Sequence, residues 1–367
     1  MHFIDIKKQY SINKDAIDAA IHGVIDNGSF IMGPQVAALE DSLAGYIGVK
    51  HCISVSSGTD SLLIALMALG IGPGDEVITV PFTWISTAEV IALVGARPVF
   101  VDIDLDTYNI SVDAVEDAIT EKTKAIIPVS LFGQMPDYAT LNAIAERHGI
   151  PVIEDGAQSF GSTQHGYKSC GVTTVGSTSF FPSKPFGCYG DGGALFTDDD
   201  TIADTMRAIR THGAVRRHHN TSLGLNARLD TIQAAILLAK FPFFPDELDA
   251  RQRIGARYTS LLRGYCVTPS IEEGNTHIYA QYTIRVEERD NVSASLKEEG
   301  IPSGIYYPKC LHMQPVFADL GYKKGAFPNA EHAAENVLSL PMHPWLSDEE
   351  QDTVVAAVKK SLHRRDS

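Results

Sequence analysis

Ser179-Phe-Phe-Pro-Ser-Lys184-Pro-Phe-Gly-Cys-Tyr-Gly-Asp-Gly-Gly193 sets one lysine between apolar residues and a run of glycines. Taking a lysine out of water lowers its pKa, so a neutral amine becomes available as a nucleophile near neutral pH. That is the requirement for a Schiff-base lysine. Gly187, Gly190, Gly192 and Gly193 let the backbone approach something flat and bulky, and Phe180 and Phe181 read as the end of a buried strand. The same residues also fit a β-hairpin turn whose lysine points to water, so the rest of the chain must decide.

The 367 residues are too many for one compact core and predict two domains. A hydrophobic fraction of 44% and a charged fraction of 20% are those of a globular protein. The net charge of -15 argues against a nucleic-acid partner, which needs clustered Lys and Arg, but leaves room for a local basic pocket. Met1-His-Phe-Ile-Asp-Ile-Lys-Lys lacks the apolar core of a secretion signal, and no apolar run is long enough to span a bilayer. A cytoplasmic protein with no membrane partner is expected. Cys52, Cys170, Cys188, Cys266 and Cys310 are scattered, without a Cys-x-x-Cys pair, and read as packed thiols rather than disulfides or a zinc site.

Residues 1–45 read as helical segments punctuated by Asn27-Gly-Ser and Met32-Gly-Pro. His51-Cys-Ile-Ser-Val-Ser is a short strand that meets Ser57-Gly-Thr-Asp and then a helical pattern from Ser61. Such a helix start offers free N–H groups and a positive dipole end to an anion, with Thr59 adding a hydroxyl; capping by Thr59 or Asp60 is the alternative. Strand and helix then alternate through Glu76-Val-Ile-Thr-Val, Pro98-Val-Phe-Val, Ala125-Ile-Ile-Pro-Val, a helix over 138–148, and Pro151-Val-Ile-Glu-Asp155. That order predicts an α/β fold with a mostly parallel central sheet. Parallel strands end in the ligand crevice, where Asp155 falls, although it could equally cap Gly156 and Ala157. Beyond Lys184, residues 198–212 read as helix, 213–230 as polar loop and 231–240 as helix, while Pro242 and Pro245 break the pattern. A helix over 246–262, a strand over 281–286, a helix over 291–299 and a last helix make a smaller α/β unit. The expected division is a large domain at 1–240 and a small C-terminal domain at 241–367.

An imine-forming lysine, an aspartate at a strand end, a phosphate-sized turn and an aromatic loop together suit pyridoxal 5'-phosphate. That cofactor needs an amine for its aldehyde, a carboxylate for its ring nitrogen, a phosphate cradle and a flat partner for its ring face. Trp84 is the candidate for the stacking role, ordinary packing being the alternative.

Five motifs carry a family resemblance: Ser57-Gly-Thr-Asp-Ser-Leu, Gly72-Pro-Gly-Asp-Glu-Val-Ile, Glu154-Asp-Gly-Ala-Gln-Ser, Ser179-Phe-Phe-Pro-Ser-Lys, and Gly224-Leu-Asn-Ala-Arg-Leu-Asp-Thr-Ile-Gln-Ala-Ala. With them the chain resembles the sugar aminotransferases of the DegT/DnrJ/EryC1/StrS family. The resemblance implies fold type I, aspartate-aminotransferase-like, in a homodimer with shared active sites. It implies Lys184 as the catalytic lysine, Asp155 as partner of the pyridine nitrogen and Gln158 as a neighbour of the ring. By the same likeness Gly58, Thr59 and Ser179 hold the phosphate, with Asn226 reaching over from a second subunit. A branch of the family that dehydrates its substrate carries histidine in place of this lysine, so Lys184 implies transamination.

In Phe3-Ile-Asp-Ile-Lys, Ile127-Pro-Val-Ser-Leu-Phe-Gly-Gln, Ser183-Lys-Pro-Phe-Gly-Cys-Tyr-Gly-Asp-Gly-Gly and Leu340-Pro-Met-His-Pro the chain resembles, within the family, the branch that aminates C3 of a UDP-linked 2-acetamido-2-deoxy-3-oxo-glucuronic acid for lipopolysaccharide or O-antigen sugars. Glutamate is the implied donor and 2-oxoglutarate its product; a 4-keto-6-deoxy nucleotide sugar is the alternative acceptor. Gly28, Phe30, Ser183, Arg228, Tyr306 and Tyr307 are the implied substrate residues. The family often has His-Tyr-Pro followed by proline and Leu-His, whereas this chain reads Tyr306-Tyr-Pro-Lys-Cys-Leu-His, so Lys309 and Cys310 depart from the pattern. His218 and His219, beside Arg216 and Arg217, fit a solvated loop or a diphosphate contact from a second subunit. His312, with no second ligand at suitable spacing, reads as structural, and no metal site is expected.

Overall fold

The computed structural model describes residues 1–363. Its strands are β1 His51–Val55, β2 Glu76–Thr79, β3 Arg97–Phe100, β4 Thr123–Ile126 and β5 Ile153–Asp155, then the short pair β6 Thr163–Gln164 and β7 Tyr167–Lys168. There follow β8 Val175–Ser179, β9 Gly193–Thr197, the pair β10 Ala214–Arg216 and β11 His219–Asn220, and finally β12 Tyr282–Arg285 and β13 Val337–Leu340. Strands β3, β2 and β4 pair in parallel, and a second group runs in the order β1-β9-β8-β5. Parallel bridges Ile126↔Val152 and Val129↔Asp155 join the two groups through β4 and β5. Within this sheet only β9 runs against its neighbours.

The strands read as near-continuous apolar runs because helices cover both faces. Helix Gly58–Ala68 buries Leu62, Ile64, Ala65 and Leu66. Helix Asp200–Arg210 is amphipathic: Ala203, Met206, Ile209 and Arg210 face inward, and Asp199 caps the Thr201 and Ile202 amides. The helix at 138–148 has the expected ends, Tyr138–His148, with Gly149 as left-handed cap. A separate apolar core, including Ile254, Tyr258, Ile284, Leu296 and Val354, lies under the β12–β13 pair. Cys310, Leu311, Phe317 and Phe327 instead pack back on the core that contains Phe100 and Tyr138.

Three local expectations change. Strand β8 stops at Ser179, so Phe180 is buried but Phe181 lies past the strand and is 49% exposed. The polar run 213–230 contains the β10–β11 pair. Pro245 does not break its helix but sits in the first turn of Phe244–Leu262, where a missing N–H costs nothing. The five cysteines are free thiols, all buried except the half-buried Cys266. Among the described residues no helix is long and apolar enough to cross a membrane.

One buried ion pair ties these layers together. Arg210 donates to Glu40 and to the Ser54 carbonyl (2.9 Å), and Glu40 accepts from the Ser54 amide (2.8 Å) and hydroxyl (2.7 Å). The Arg210 carbonyl accepts from the Ala227 amide at 3.1 Å, so the same residue holds the segment that carries Asn226 and Arg228. Arg210→Met leaves the largely buried Glu40 charge with only its Ser54 donors. The expected loss is about 3–5 kcal/mol of unfolding free energy, measured by urea denaturation; a loss under about 1 kcal/mol would show that water reaches Glu40.

Candidate active site

Lys184 lies in the connection 180–192 between antiparallel strands β8 and β9. The stretch is thus a hairpin connection, and its lysine is half-buried rather than held out in water. Loss of hydration pulls the Lys184 amine below the usual lysine pKa, and the charge of Asp155 works in the opposite direction. Among the described residues the amine has no hydrogen-bond acceptor. Its loop is held at several points: the Lys184 amide donates to the Phe181 carbonyl (2.8 Å), Cys188 to Phe180 (2.8 Å), and Tyr189 to the Gln233 side chain (2.9 Å). Lys240, only 3% exposed, donates its ammonium to the Gly187 carbonyl. Gly187 is required there, since a Cβ would stand 2.5 Å from the Phe181 oxygen.

Asp155 is the last residue of β5 and is buried. Its Oδ2 accepts from the Thr87 hydroxyl at 2.8 Å, and its Oδ1 from the Ala157 amide at 3.2 Å. The expected cap on Ala157 is therefore present, but it engages only one oxygen. Burial raises the Asp155 pKa, while the Thr87 and Ala157 hydrogen bonds and the Lys184 charge lower it. Gln158 is buried beside it, accepting from the Phe132 amide (2.8 Å) and donating to the Tyr307 hydroxyl (3.0 Å). Burial first, and then the Asp155 charge, push the Tyr307 phenol up. The Tyr307 ring lies 6.1 Å from Trp84, which is 60% exposed, and 5.9 Å from Tyr306.

The third part of the pocket is the start of helix Gly58–Ala68. Ser57 caps the Asp60 amide at 3.0 Å, leaving those of Gly58 and Thr59 uncapped. Gly58 lies against the end of β8: a Cβ there would stand 2.6 Å from Ser179 Cβ. Thr59 Oγ1 is 2.8 Å from Ser86 Oγ, at the start of helix Ser86–Leu93. Two helix starts, a strand-end carboxylate and a half-buried amine thus meet at one edge of the sheet. Uncapped amides favour an anion, and the unpartnered amine and two-donor carboxylate suit the two ends of a pyridoxal ring.

A second group of expected residues is more open. Gly28 is the left-handed cap of helix Lys14–Asn27, and the Phe30 carbonyl accepts from the Thr231 amide (3.0 Å) beside the Ile31↔Asp230 bridge. Arg228 is half-buried, and its Nε is buried without a partner. Ala227 accepts from the Ser56 amide at 3.1 Å, which sets Asn226 and Arg228 next to the Gly58 helix start. Asn226 itself is exposed, and neither its side chain nor that of Arg228 bonds to Gly58, Thr59 or Ser179. Ser183 is half-buried, Lys309 exposed and Cys310 buried. His218 and His219 are exposed on the β10–β11 pair, and His312 is buried with Nε2 3.0 Å from Glu331. Among the described residues no cluster of His, Cys, Asp and Glu is arranged to hold a metal ion.

Sequence reasoning passed over Thr87 and Lys240. Thr87 looks like an ordinary residue of a helix's first turn, and Lys240 like a solvated residue of a last turn. The apolar neighbours of Lys240, Ile236-Leu-Leu-Ala before it and Phe241 after it, were the available signal.

The DegT/DnrJ/EryC1/StrS aminotransferase family matches residues 11–359. The chain is 52% identical to the UDP-2-acetamido-2-deoxy-3-oxo-D-glucuronate aminotransferase of Pseudomonas aeruginosa, over 98% of this chain and 99% of that one. It is 43% identical to the UDP-N-acetyl-3-dehydro-alpha-D-glucosamine 3-aminotransferase of Acidithiobacillus ferrooxidans, over 98% and 97%. Among solved structures, NtdA of Bacillus subtilis with its bound cofactor PMP superposes with a TM-score of 0.90 at 32% identity, over 96% of this chain and 82% of that one.

Burial lowers the Lys240 pKa from 10.5 to about 8, against the raising effect of Glu247 and Cys188. Between about pH 8 and 10.5 the unfolded chain therefore binds more protons at this residue than the folded one. Stability from Lys240 must rise with pH across that window. The difference in unfolding free energy between wild type and Lys240→Met should move in favour of wild type by on the order of 3 kcal/mol from pH 8 to 10.5. A difference independent of pH would mean that the ammonium is hydrated.

Proposed function

The chain belongs to the DegT/DnrJ/EryC1/StrS aminotransferase family, and from that membership we propose the acceptor, the donor and the role of each site residue. Pyridoxal 5'-phosphate is the cofactor, as for the PMP-bound relative. The acceptor is UDP-2-acetamido-2-deoxy-3-oxo-glucuronic acid, aminated at C3; glutamate is the donor and leaves as 2-oxoglutarate. The observation that carries this reading is the 52% identity, end to end, with an enzyme named for that sugar. The product is a diamino uronic acid precursor of a surface polysaccharide, made in the cytoplasm. A separate apolar core from Ile254 to Val358 supports a small domain beginning near residue 241.

Gly58, Thr59 and Ser179 hold the cofactor phosphate through two uncapped amides and a hydroxyl, and Asp155 holds a proton at the ring nitrogen. When bound, the cofactor withdraws electrons from the carbon bearing the transferred nitrogen. Lys184 holds the aldehyde. Its low proton affinity lets the freed amine take up and return the proton of the donor's α-carbon. Trp84 covers the ring face, and Gln158 fixes Tyr307 beside it. Gly28, Phe30, Ser183, Tyr306 and Tyr307 line the nucleotide-sugar path, and Arg228 pairs with the sugar carboxylate in a fork that lysine cannot form.

A homodimer completes the site, with Asn226 of one protomer reaching the phosphate held by the other. Exposed Asn226 supports this, as do the bare apolar residues Phe30, Ile31, Met32, Trp84 and Leu223, the last 88% exposed. The Acidithiobacillus relative's name favours a second reading, in which the acceptor is a 3-keto glucosamine without a carboxylate.

Borohydride reduction of the loaded enzyme should fix the cofactor on the peptide containing Lys184, and Lys184→Ala should abolish turnover in a folded protein. Labelling of another lysine would discard the assignment. Arg228→Met should cost roughly 30-fold to 150-fold in kcat/KM on the 3-oxo uronic acid, the equivalent of about 2–3 kcal/mol. UDP-linked 3-keto glucosamine should be little affected. Equal loss on both substrates would assign Arg228 to the diphosphate; wild-type turnover of 3-keto glucosamine alone would support the second reading, and of a 4-keto-6-deoxy sugar alone would discard both.

A further inference from the structure

Thr87 is fully buried in the first turn of helix Ser86–Leu93 and donates to Asp155 Oδ2 at 2.8 Å. Its other neighbours are farther, the Trp84 carbonyl and the Thr83 hydroxyl each at 3.3 Å. A hydroxyl has one proton to give, and a carboxylate is the stronger acceptor. The Ala157 amide, at 3.2 Å, is the longer of the two bonds to Asp155 and reaches only Oδ1. The preceding residue, Ser86, has its Oγ 2.8 Å from Thr59 Oγ1 at the phosphate end of the pocket. Two successive side chains therefore link the helix start that awaits the phosphate to the carboxylate that awaits the ring nitrogen.

We propose that Thr87 is a positioning residue: its hydroxyl stops the Asp155 carboxylate from rotating about Cβ–Cγ and leaves Oδ1 to meet the cofactor's ring nitrogen. This rests on the role given to Asp155 under the proposed function. Thr87 also favours the charged carboxylate, against the burial that disfavours it. Lys184, Tyr307, Glu154, Tyr138 and Cys170 are the other titratable groups that share an interaction with Asp155, and substitution of Thr87 leaves each of them in the chain.

Thr87→Val keeps the shape and removes the donor, whereas Thr87→Ser keeps the donor. In Thr87→Val, kcat should fall roughly 10-fold to 100-fold, and the acid limb of its pH profile should move up by about one unit. Titration of the apoprotein with pyridoxal phosphate, followed by fluorescence, should show weaker binding in Thr87→Val at pH 6 than at pH 8, relative to wild type. Thr87→Ser should restore all three quantities to within a few fold. A Thr87→Val enzyme with wild-type kcat, acid limb and cofactor binding would overturn the proposal. So would a loss of activity with an unmoved acid limb and no rescue by serine, which would make Thr87 a packing residue. If Thr87→Val fails to fold, Thr87→Ala replaces it in the same comparison. Asp155→Asn separates the two levels: if that variant keeps its turnover, the reading of Asp155 fails; if it loses turnover while Thr87→Val is unaffected, only the positioning role fails.

Discussion

A buried carboxylate and a half-buried amine that feel each other's charge are the constraint on which the site depends. Burial pushes Asp155 toward its protonated form and Lys184 toward its neutral form, and the charge of each resists the shift of the other. Neither can be moved far without leaving the other as an uncompensated charge. The surrounding bonds keep the two groups where they are. Thr87 and Ala157 hold Asp155, while Lys240 and Gln233 hold the loop of Lys184 from behind. The sheet supplies the frame, because β5 and β8 pair side by side and end together at that edge.

The parallel half of the fold was legible because β2 to β5 alternate with helices at regular intervals. Strand β9 was less so. Gly193-Ala-Leu-Phe-Thr is buried at every position, and a run with no polar face carries no sign of its direction. At 13 residues the connection 180–192 is long enough for a hairpin or a crossover, so the antiparallel sense is seen only in the pairing Gly176↔Phe196 to Ser179↔Gly193. The C-terminal strand Val337–Leu340 was missed for a related reason, since helix Pro328–Asn336 runs directly into it with no Gly or Pro between them.

In the site, residue chemistry and local pattern were enough to single out Lys184, Asp155 and Thr59 as candidates, and the structure brings their segments together. Residues that act through a contact far along the chain were invisible. Thr87 reaches Asp155 across 68 positions, and Lys240 reaches Gly187 across 53. Neither side chain carries a local pattern that names its acceptor. Asn226 and Arg228 are a different case: their chemistry was legible, but Asn226 is exposed, Arg228 is half-buried, and neither side chain bonds to Gly58, Thr59 or Ser179.

Strand β1 stands at the edge of the sheet, and its pairing partner is β9, from the far side of the lysine loop. On a ribosome, β2 to β5 can collapse with their helices as they emerge, while β1 waits for residues 193–197. When β9 arrives, Val55 pairs with Gly193, whose bare Cα lies against the Ser57 carbonyl, and Gly58 comes to rest on Ser179. The Gly58 helix start and the lysine loop are thus closed in one event of chain growth. A nascent chain shorter than this has Gly58, Thr59 and Ser179 but lacks the β1–β9 pairing that brings the Gly58 helix start against the end of β8.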